Sequence, residues 1–247
     1  MVINMKVIHN ITNYVTAGDV ANAELAVGAS PTMTDYVKEV KEVTKNSDAL
    51  NLNTGTLNRQ KLISMLISGE TANKKQIPVV LDMVGAGNNH RRKSILKLIK
   101  KIKFCVIKGN GSEFNSIINK TRFGGVDSKE EADITEVEKF AKRLNTIAVV
   151  TGKTDIITDG ERTVYIKNST EKLKSITGAG CMLSGIIASY LAKENSFEQT
   201  VKAVSVMAVS AKLADCENIG DFKVRLFNEL NKITDEKLKE HTIYEVK

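Results

Sequence analysis

The sequence lacks the features that set a chain apart from ordinary globular proteins. It has no tryptophan, only two prolines among 247 residues, and no tract rich in proline, glycine or serine that would mark a linker. We therefore expect residues 1–247 to fold as one domain. With 42% hydrophobic and 26% charged residues, a chain of this length can bury a core without disulfide or metal staples.

Cysteine is also scarce. Cys105, Cys181 and Cys216 are odd in number, widely spaced and without a CxxC pair, which argues against a disulfide framework and a structural zinc site. The first residues have no signal-peptide apolar core, and the most apolar run, Cys181–Ala192, is too short to span a bilayer. These absences favour a cytoplasmic protein with no membrane partner.

Charge of one sign is not concentrated in the chain, although the formal net charge is +7. Most lysines alternate with acidic residues, as in Lys38–Glu42, which is typical of a solvated helix face. The most basic segment, residues 90–103, has few aromatic residues on which bases could stack. This pattern argues against nucleic acid as a partner, but a mild positive potential would attract a small anionic substrate.

Short apolar runs alternate with longer amphipathic ones along the first 150 residues. The apolar runs predict buried parallel strands at Met5–His9, Ala49–Asn53, Val79–Met83, Phe104–Ile107 and Ile147–Thr151. The amphipathic runs predict helices at Ala17–Val27, Tyr36–Lys45, Asn58–Gly69, Arg91–Ile102 and Glu130–Leu144. This alternation predicts an α/β fold with right-handed crossovers and a mostly parallel sheet.

The pattern changes after residue 154. Alternating apolar and polar residues at Asp155–Thr158 and Arg162–Lys167 flank Asp159-Gly160 and predict a hairpin, which would give the sheet an antiparallel edge. Two long helices follow, at Met182–Lys193 and Phe197–Ala214. The tail predicts a helix at Asp221–Asn231 and a short strand at Ile243–Val246.

The most informative motif is Thr177–Cys181, which directly precedes an apolar helix. Its small residues, Gly178, Ala179 and Gly180, would let a ligand approach the backbone N–H groups at the positive end of the helix. Such an anion hole suits a phosphoryl group during its transfer. The same field would lower the pKa of the Cys181 thiol and favour the thiolate. The alternative is a glycine turn into a buried helix, with Cys181 as a small core residue.

Polar residues also follow the first and third of the predicted strands, where ligands bind in open α/β sheets. His9–Asn13 offers side chains that can hydrogen-bond a small heterocycle, although asparagine and threonine are also common in turns. Asp82, with the glycine loop at residues 85–89, can hold Mg²⁺ and phosphate oxygens; alternatively it caps a helix or lies in a loop.

Two further strand ends carry candidate ligand-binding groups. Lys108 can neutralise phosphate and Glu113 can reach a metal through water, unless Glu113 only belongs to the first turn of a capped helix. Thr151 ends a buried strand with a hydroxyl that can meet a phosphate or a purine, although threonine is common in strands.

Taken in order, these motifs resemble the hydroxyethylthiazole kinase family of thiamin salvage, within the ribokinase-like superfamily. The resemblance covers about Val7 to Ala214. Its most specific stretches are His9–Val15, Ala26–Met33, Asn51–Leu57, Val149–Gly152 and Thr177–Cys181. It implies a three-layer αβα sandwich, the ribokinase-like fold, and a kinase that transfers phosphate from ATP to 5-(2-hydroxyethyl)-4-methylthiazole.

The resemblance also implies a role for individual residues and a quaternary structure. Cys181 would be the catalytic base, at a position where most ribokinase-like kinases carry aspartate. A homotrimer with active sites between subunits is implied as well. The remaining roles are thiazole binding by Asn13, Val15, Met33, Gly55 and Gly178, ATP binding by Lys108, Thr151, Gly178, Ala179 and Gly180, and Mg²⁺ binding by Asp82 and Glu113.

The chain departs from the family pattern at one strand end, where the family usually has Asp-Pro-Val and this sequence has Asp82-Met83-Val84. Two other functions stay open. One is a ribokinase-like kinase of another small heterocyclic alcohol, such as a pyrimidine or a pyridoxal-like ring, against which Cys181 argues because those relatives generally carry aspartate there. The other is a non-catalytic protein that binds nucleotide or thiazole.

Overall fold

A nine-stranded sheet organises the computed structural model, which describes residues 5–118, 132–168 and 170–247. Its strand order is β2-β1-β3-β4-β5-β6-β7-β8-β9. The strands are β1 Lys6–Ile11, β2 Ala29–Met33, β3 Ala49–Asn53, β4 Val79–Asp82, β5 Val106–Asn110, β6 Ile147–Thr151, β7 Asp155–Thr158, β8 Thr163–Ile166 and β9 Tyr244–Val246. The first six strands are parallel to their neighbours, whereas the β6–β7, β7–β8 and β8–β9 pairs are antiparallel.

Helices cover both faces of this sheet. They are α1 Ala17–Ala26, α2 Val40–Lys45, α3 Arg59–Lys75, α4 Asn89–Lys101, α5 Gly111–Ile118, α6 Ile134–Leu144, α7 Ala179–Leu191, α8 Phe197–Leu213, α9 Ile219–Lys232 and α10 Asp235–His241, with a 3-10 helix at Glu171–Ser175. One buried apolar cluster joins the sheet to α1, α7, α8 and α9, and a second joins it to α2–α6. This confirms the predicted three-layer αβα sandwich with an antiparallel edge.

The predicted hairpin of β7 and β8 is also confirmed, and the structure shows what stabilises its turn. The Asp159 carboxylate accepts the N–H groups of Glu161 and Arg162, and Gly160 has φ +90°, a conformation that favours glycine. The strand predicted in the tail is present as β9. Within the described ranges, no helix is long and apolar enough to cross a membrane.

Several boundaries differ from the sequence prediction. The helix expected to end at Gly69 continues to Lys75. Gly69 is a packing position and not a helix end, since a Cβ atom there would lie 2.3 Å from Ile102 Cδ1. The helix predicted to begin at Glu130 starts at Ile134 in the described part of the chain, and residue 130 lies outside that part. β2 and α10 were missed, and α5 was considered only as the alternative interpretation of Glu113, without bounds. Pro31 concealed β2, although an edge strand tolerates proline.

Candidate active site

The carboxyl ends of β3, β4 and β5 place three polar side chains side by side. Asn53 is in register with Asp82, and Asp82 is in register with Lys108. All three side chains are buried. Because these strands are parallel neighbours, residues far apart in sequence meet at one edge of the sheet, as expected for a ligand site in an open α/β sheet.

An ion pair between Lys108 and Asp82 forms the centre of this group. Lys108 Nζ lies 2.8 Å from Asp82 Oδ1, and Asn53 Nδ2 donates to Asp82 Oδ2 at 2.8 Å. Burial raises the pKa of Asp82, whereas Lys108 and the Asn53 amide oppose the rise. Burial by itself would lower the pKa of Lys108, but the attraction of the Asp82 carboxylate outweighs this effect, so the pKa of Lys108 is raised. Asp82 ends a strand; the N-cap of the next helix is Asn88.

The sulfur of Cys181, in the first turn of α7, lies against this group. Asn13 Nδ2 and Asn53 Nδ2 lie 3.1 Å and 3.2 Å from Cys181 Sγ. The expected lowering of the thiol pKa is wrong: burial raises the pKa of Cys181, and the Asp82 charge adds to the rise, although Lys108 and hydrogen bonds from Thr16 and Asn53 oppose it. The sequence showed the helix N-terminus but not the buried carboxylate beside it.

Two glycines shape the start of α7. Gly178 is the N-cap residue with φ +90°, and a Cβ atom there would lie 2.6 Å from Thr16 Cγ2. Gly180 faces Lys108, since a Cβ atom at residue 180 would lie 3.3 Å from Lys108 Nζ. The backbone N–H groups of Ala179 and Gly180 belong to the first turn and have no partner further back in the helix. The two glycines therefore let Thr16 and Lys108 approach the backbone at the start of α7 closely.

Glu113 connects two of the strand-end loops. Its Oε1 accepts the Gly85 N–H at 2.8 Å, its Oε2 accepts the Asn110 N–H at 2.9 Å, and its own N–H donates to Asn110 Oδ1. The exchange with Asn110 is a capping box for α5, so the helix-cap interpretation describes Glu113 correctly. Burial raises its pKa to about 7, and the charge of Asp82 adds to the rise.

The carboxylates of Asp82 and Glu113 fit a divalent cation brought with a nucleotide. Burial is the main cause of the raised pKa of Glu113 and the charge of Asp82 adds to it, so a cation would relieve the part of the rise that comes from repulsion. Among the described residues no group of three or more His, Cys, Asp or Glu side chains forms a metal cage. Mg²⁺ does not need one, because it binds through one or two carboxylates together with water and substrate phosphates.

Thr151 ends β6 beside the same edge. Its hydroxyl lies 3.4 Å from the Gly109 carbonyl oxygen, and residue 151 is in register with Asn110. Asp155, which the sequence analysis did not single out, accepts the Gly152 N–H at 3.0 Å and shapes the turn after Thr151. Burial raises the pKa of Asp155 to about 6, although Gly152 and Lys108 oppose the rise.

The residues expected to bind the thiazole divide into two groups. Asn13 and Gly55 are together beside Cys181: a Cβ atom at residue 55 would lie 2.8 Å from Asn13 Cβ. Val15 and Met33 instead lie in the loop after β1 and at the end of β2, with 61% and 36% of their surface exposed. The structure therefore brings Asn13 and Gly55 to the sulfur and leaves Val15 and Met33 on a surface at the sheet edge.

His9 is a packed histidine. It is fully buried, its Nδ1 lies 2.9 Å from Thr44 Oγ1, and its Nε2 lies 3.1 Å from the Thr34 carbonyl oxygen. Burial lowers its pKa to about 4.

Asn53 and Thr16 are the site residues that sequence reasoning missed. Thr16 orients the side chain of Asn13, since the N–H and the hydroxyl of Thr16 both donate to Asn13 Oδ1. Asn53 was recognised as the end of a strand and as part of the Asn51–Leu57 stretch, without a role of its own. Its alternation with Asn51 on a fully buried strand was the available signal, because a buried asparagine requires polar partners.

Comparisons with solved structures define the class of this protein. The fold matches a ribokinase-like superfamily protein from Enterococcus faecalis, with a TM-score of 0.66 at 14% identity over 92% of this chain and 86% of that one. It also matches the pyridoxal kinase of Staphylococcus aureus, with a TM-score of 0.64 at 16% identity over 98% of both chains. At these identities the likeness shows the fold, which is ribokinase-like.

Closer relatives identify the family. The sequence model of the hydroxyethylthiazole kinase family matches residues 3–236. The hydroxyethylthiazole kinase of Clostridioides difficile is 45% identical, over 92% of this chain and 88% of that protein, and the one from Thermoanaerobacter pseudethanolicus is 40% identical, over 93% and 90%. The structure of the Pyrococcus horikoshii hydroxyethylthiazole kinase matches with a TM-score of 0.90 at 31% identity, over 98% and 94%. The chain belongs to the hydroxyethylthiazole kinase family.

Proposed function

We propose that the protein transfers the γ-phosphoryl group of ATP to the hydroxyl of 5-(2-hydroxyethyl)-4-methylthiazole, as a cytoplasmic step of thiamin salvage. The observation that carries this proposal is the position of Cys181 Sγ, held by Asn13 and Asn53 beside the Lys108–Asp82 ion pair. An acceptor for a proton and a cation for a phosphate thus lie at one helix N-terminus. Three cysteines without a disulfide partner suit the reducing cytoplasm.

The phosphates would bind at the start of α7. The N–H groups of Ala179 and Gly180 and the positive end of the helix dipole favour negative charge there. Lys108 would neutralise the transferring group, because its Nζ lies beside Gly180 in the first turn of α7, 3.3 Å from where a Cβ atom of residue 180 would be. Thr151, at the end of β6, would donate its hydroxyl to the nucleotide. These groups act mainly by position and charge, which suits the loose transition state of phosphoryl transfer.

Asp82 and Glu113 would hold Mg²⁺ with the nucleotide, directly or through water. When bound, Mg²⁺ supplies charge neutralisation at the phosphate oxygens. Glu113 has a second task, because its carboxylate holds Gly85 and Asn110 in place. It thereby orders the two loops that line the phosphate side of the site.

Cys181 would accept the proton of the substrate hydroxyl as the hydroxyl oxygen attacks. Gly178, next to Thr16, would keep the backbone clear for that hydroxyl. A buried thiol with a raised pKa is mostly protonated at neutral pH, so only a small thiolate fraction can accept the proton and Cys181 is an inefficient general base. General base catalysis contributes typically about 10²–10⁴-fold, so an inefficient base is compatible with a working kinase.

The thiazole ring would lie between Asn13 and Gly55 on one side and Val15 and Met33 on the other. Both apolar side chains are exposed, Met33 at the end of the edge strand β2 and Val15 in the loop after β1. We include in the proposal that a second copy of the chain covers them, in a homotrimer with active sites between subunits. Mixing two inactive variants, one altered at Cys181 and one at Met33, should restore activity if subunits share a site.

A coupled assay of ADP release with Mg²⁺-ATP tests the reaction. Hydroxyethylthiazole, pyridoxal and hydroxymethylpyrimidine are compared as acceptors, with Cys181→Ala as the control for contaminating kinases. Release that depends on the thiazole and is absent with the other two supports the proposal. Release with pyridoxal or the pyrimidine instead would assign a different heterocyclic alcohol, and ATP binding without release from any acceptor would indicate a non-catalytic binder.

A further inference from the structure

Hydrogen bonds from the backbone determine how two buried amides face the sulfur of Cys181. The Gly55 N–H donates to Asn53 Oδ1 at 2.8 Å, so Asn53 Nδ2 must point the other way, toward Asp82 and the sulfur. The Thr16 N–H donates to Asn13 Oδ1 at 3.1 Å, so Asn13 Nδ2 also faces the sulfur. The sulfur therefore lies between two N–H donors. The backbone N–H groups of Gly55 and Thr16 fix which end of each amide is oxygen, so the donor ends cannot be exchanged for acceptors by flipping the amides.

Asn53 and Asn13 each use both amide protons, but they differ in the second partner: Asn13 Nδ2 also donates to Asn53 Oδ1 at 3.4 Å, whereas Asn53 Nδ2 also donates to the carboxylate of Asp82. One N–H bonds Asp82 Oδ2 at 2.8 Å and the other lies 3.2 Å from Cys181 Sγ. Asp82 in turn holds Lys108. Asn53 is fully buried and is therefore a rigid link between the proton acceptor and the phosphate-binding cation.

We propose that Asn53 is a positioning residue for the transfer step, which holds the Cys181 sulfur at the substrate hydroxyl and stabilises its anionic form through an N–H···S hydrogen bond. This inference rests on the proposed function, since it assigns Asn53 to the reaction at that site. Asn53 contacts neither the thiazole nor the nucleotide in this scheme and acts through Cys181. Its loss should thus lower kcat by a larger factor than it raises the KM for either substrate, although Asn53 also contacts Gly55 and Asp82.

The test compares Asn53→Leu with Asn51→Leu. Asn51 lies on the same strand, is equally buried and bonds Asn10 instead of Cys181, so it is a matched control for placing leucine in this strand. We expect Asn53→Leu to reduce kcat about 10- to 100-fold, the size of a hydrogen bond to a charged group, and Asn51→Leu to change it by less than about 3-fold. Asn53→Asp, which keeps the shape and removes the N–H donors, should reduce kcat at least as much.

A double-mutant cycle shows whether Asn53 acts through the sulfur. In a Cys181→Ala background, Asn53→Leu should reduce the remaining kcat by no more than about 3-fold, because the partner of its N–H is gone. An undiminished effect in that background would overturn the proposal. So would an equal loss in Asn51→Leu, which would indicate a general disturbance of β3.

A second readout does not need kinase activity. In a chain with Cys105→Ser and Cys216→Ser, Cys181 is the only thiol, and its rate of alkylation by iodoacetamide reports how readily the thiolate forms. We expect Asn53→Leu to slow alkylation about 10-fold and Asn51→Leu to leave it unchanged. Equal rates in parent and Asn53→Leu, or a parent thiol that does not react, would overturn the role of Asn53. If no alcohol is phosphorylated, the proposed function fails and this comparison still decides the role.

Discussion

Lys108 and Asp82 form an ion pair of 2.8 Å in which both side chains are almost completely removed from water. They come from neighbouring strands and meet because Asp82 and Lys108 are in register at the carboxyl ends of β4 and β5. A buried charge is tolerated only with a partner, so each residue makes the other possible. A phosphate group entering this site would meet a cation already held in place.

Lys108→Met should destabilise the protein and weaken ATP binding. Removing one partner of a buried pair leaves an uncompensated charge, which costs about 3–5 kcal/mol of unfolding free energy. Urea unfolding measures this loss. The double variant Lys108→Met, Asp82→Asn should recover much of the stability, because no buried charge remains, and should stay inactive. A single variant as stable as the parent would contradict the pairing.

Cys181→Asp should keep or raise turnover. A carboxylic acid ionises at a much lower pH than a thiol, and the N–H groups of Asn13 and Asn53 can donate to it as they do to the sulfur. The coupled assay measures kcat for this variant beside Cys181→Ala, for which we expect a decrease of about 10²–10⁴-fold. Complete loss of activity in Cys181→Asp would argue against a proton acceptor at this position.

Gly178→Ala should impair both folding and activity. Gly178 has φ +90°, and an added Cβ would lie 2.6 Å from Thr16 Cγ2. The backbone strain alone costs about 1–2 kcal/mol. Gly18→Ala is the control, since nothing lies within 4 Å of its added Cβ and alanine favours the helix α1. Thermal unfolding should show a loss for the first variant and no loss for the second.

Acidification should destabilise the protein through His9. Its pKa is about 4 when folded against 6.5 ordinarily, because burial disfavours the charged ring. The unfolded chain therefore binds more protons between these values, so this contribution is fully present above pH 6.5 and is lost as the pH falls toward 4. The loss is up to about 3 kcal/mol. Urea unfolding across this range should show a flatter profile for His9→Gln and an unchanged one for His90→Gln, whose site is exposed.

Met83→Pro should weaken the junction of β4 and β5. The Met83 N–H donates to the Lys108 carbonyl oxygen at 2.9 Å, and proline has no N–H to replace it. Met83 is also fully buried. We expect a loss of about 1–3 kcal/mol in urea unfolding, the cost of an unpaired buried acceptor. Met83→Leu is the control, because it keeps the N–H and nearly the same volume. A proline variant as stable as Met83→Leu would contradict this account.

Much of the fold follows from periodicity alone. The buried runs around Leu50, Val80 and Val149 are apolar on both faces, and amphipathic helices separate them, so a parallel sheet was predictable. β2 was not predictable, because Pro31 and the two polar residues Ser30 and Thr32 interrupt the apolar pattern of a strand that pairs along only one edge. The capping box of α5 was visible in the sequence, but the length of the helix was not.

Of the site, the sequence by itself determined which residue types stand at the strand ends and the glycine-rich start of α7. Only the tertiary structure decided which of them meet. Asn53 and Cys181 are 128 positions apart, and Asn13 and Cys181 are 168 apart, so no local pattern could pair them. The predicted direction of the Cys181 pKa shift was wrong for the same reason. The sequence shows that Cys181 lies at a helix N-terminus, whereas its burial and the nearby Asp82 charge exist only after the chain folds.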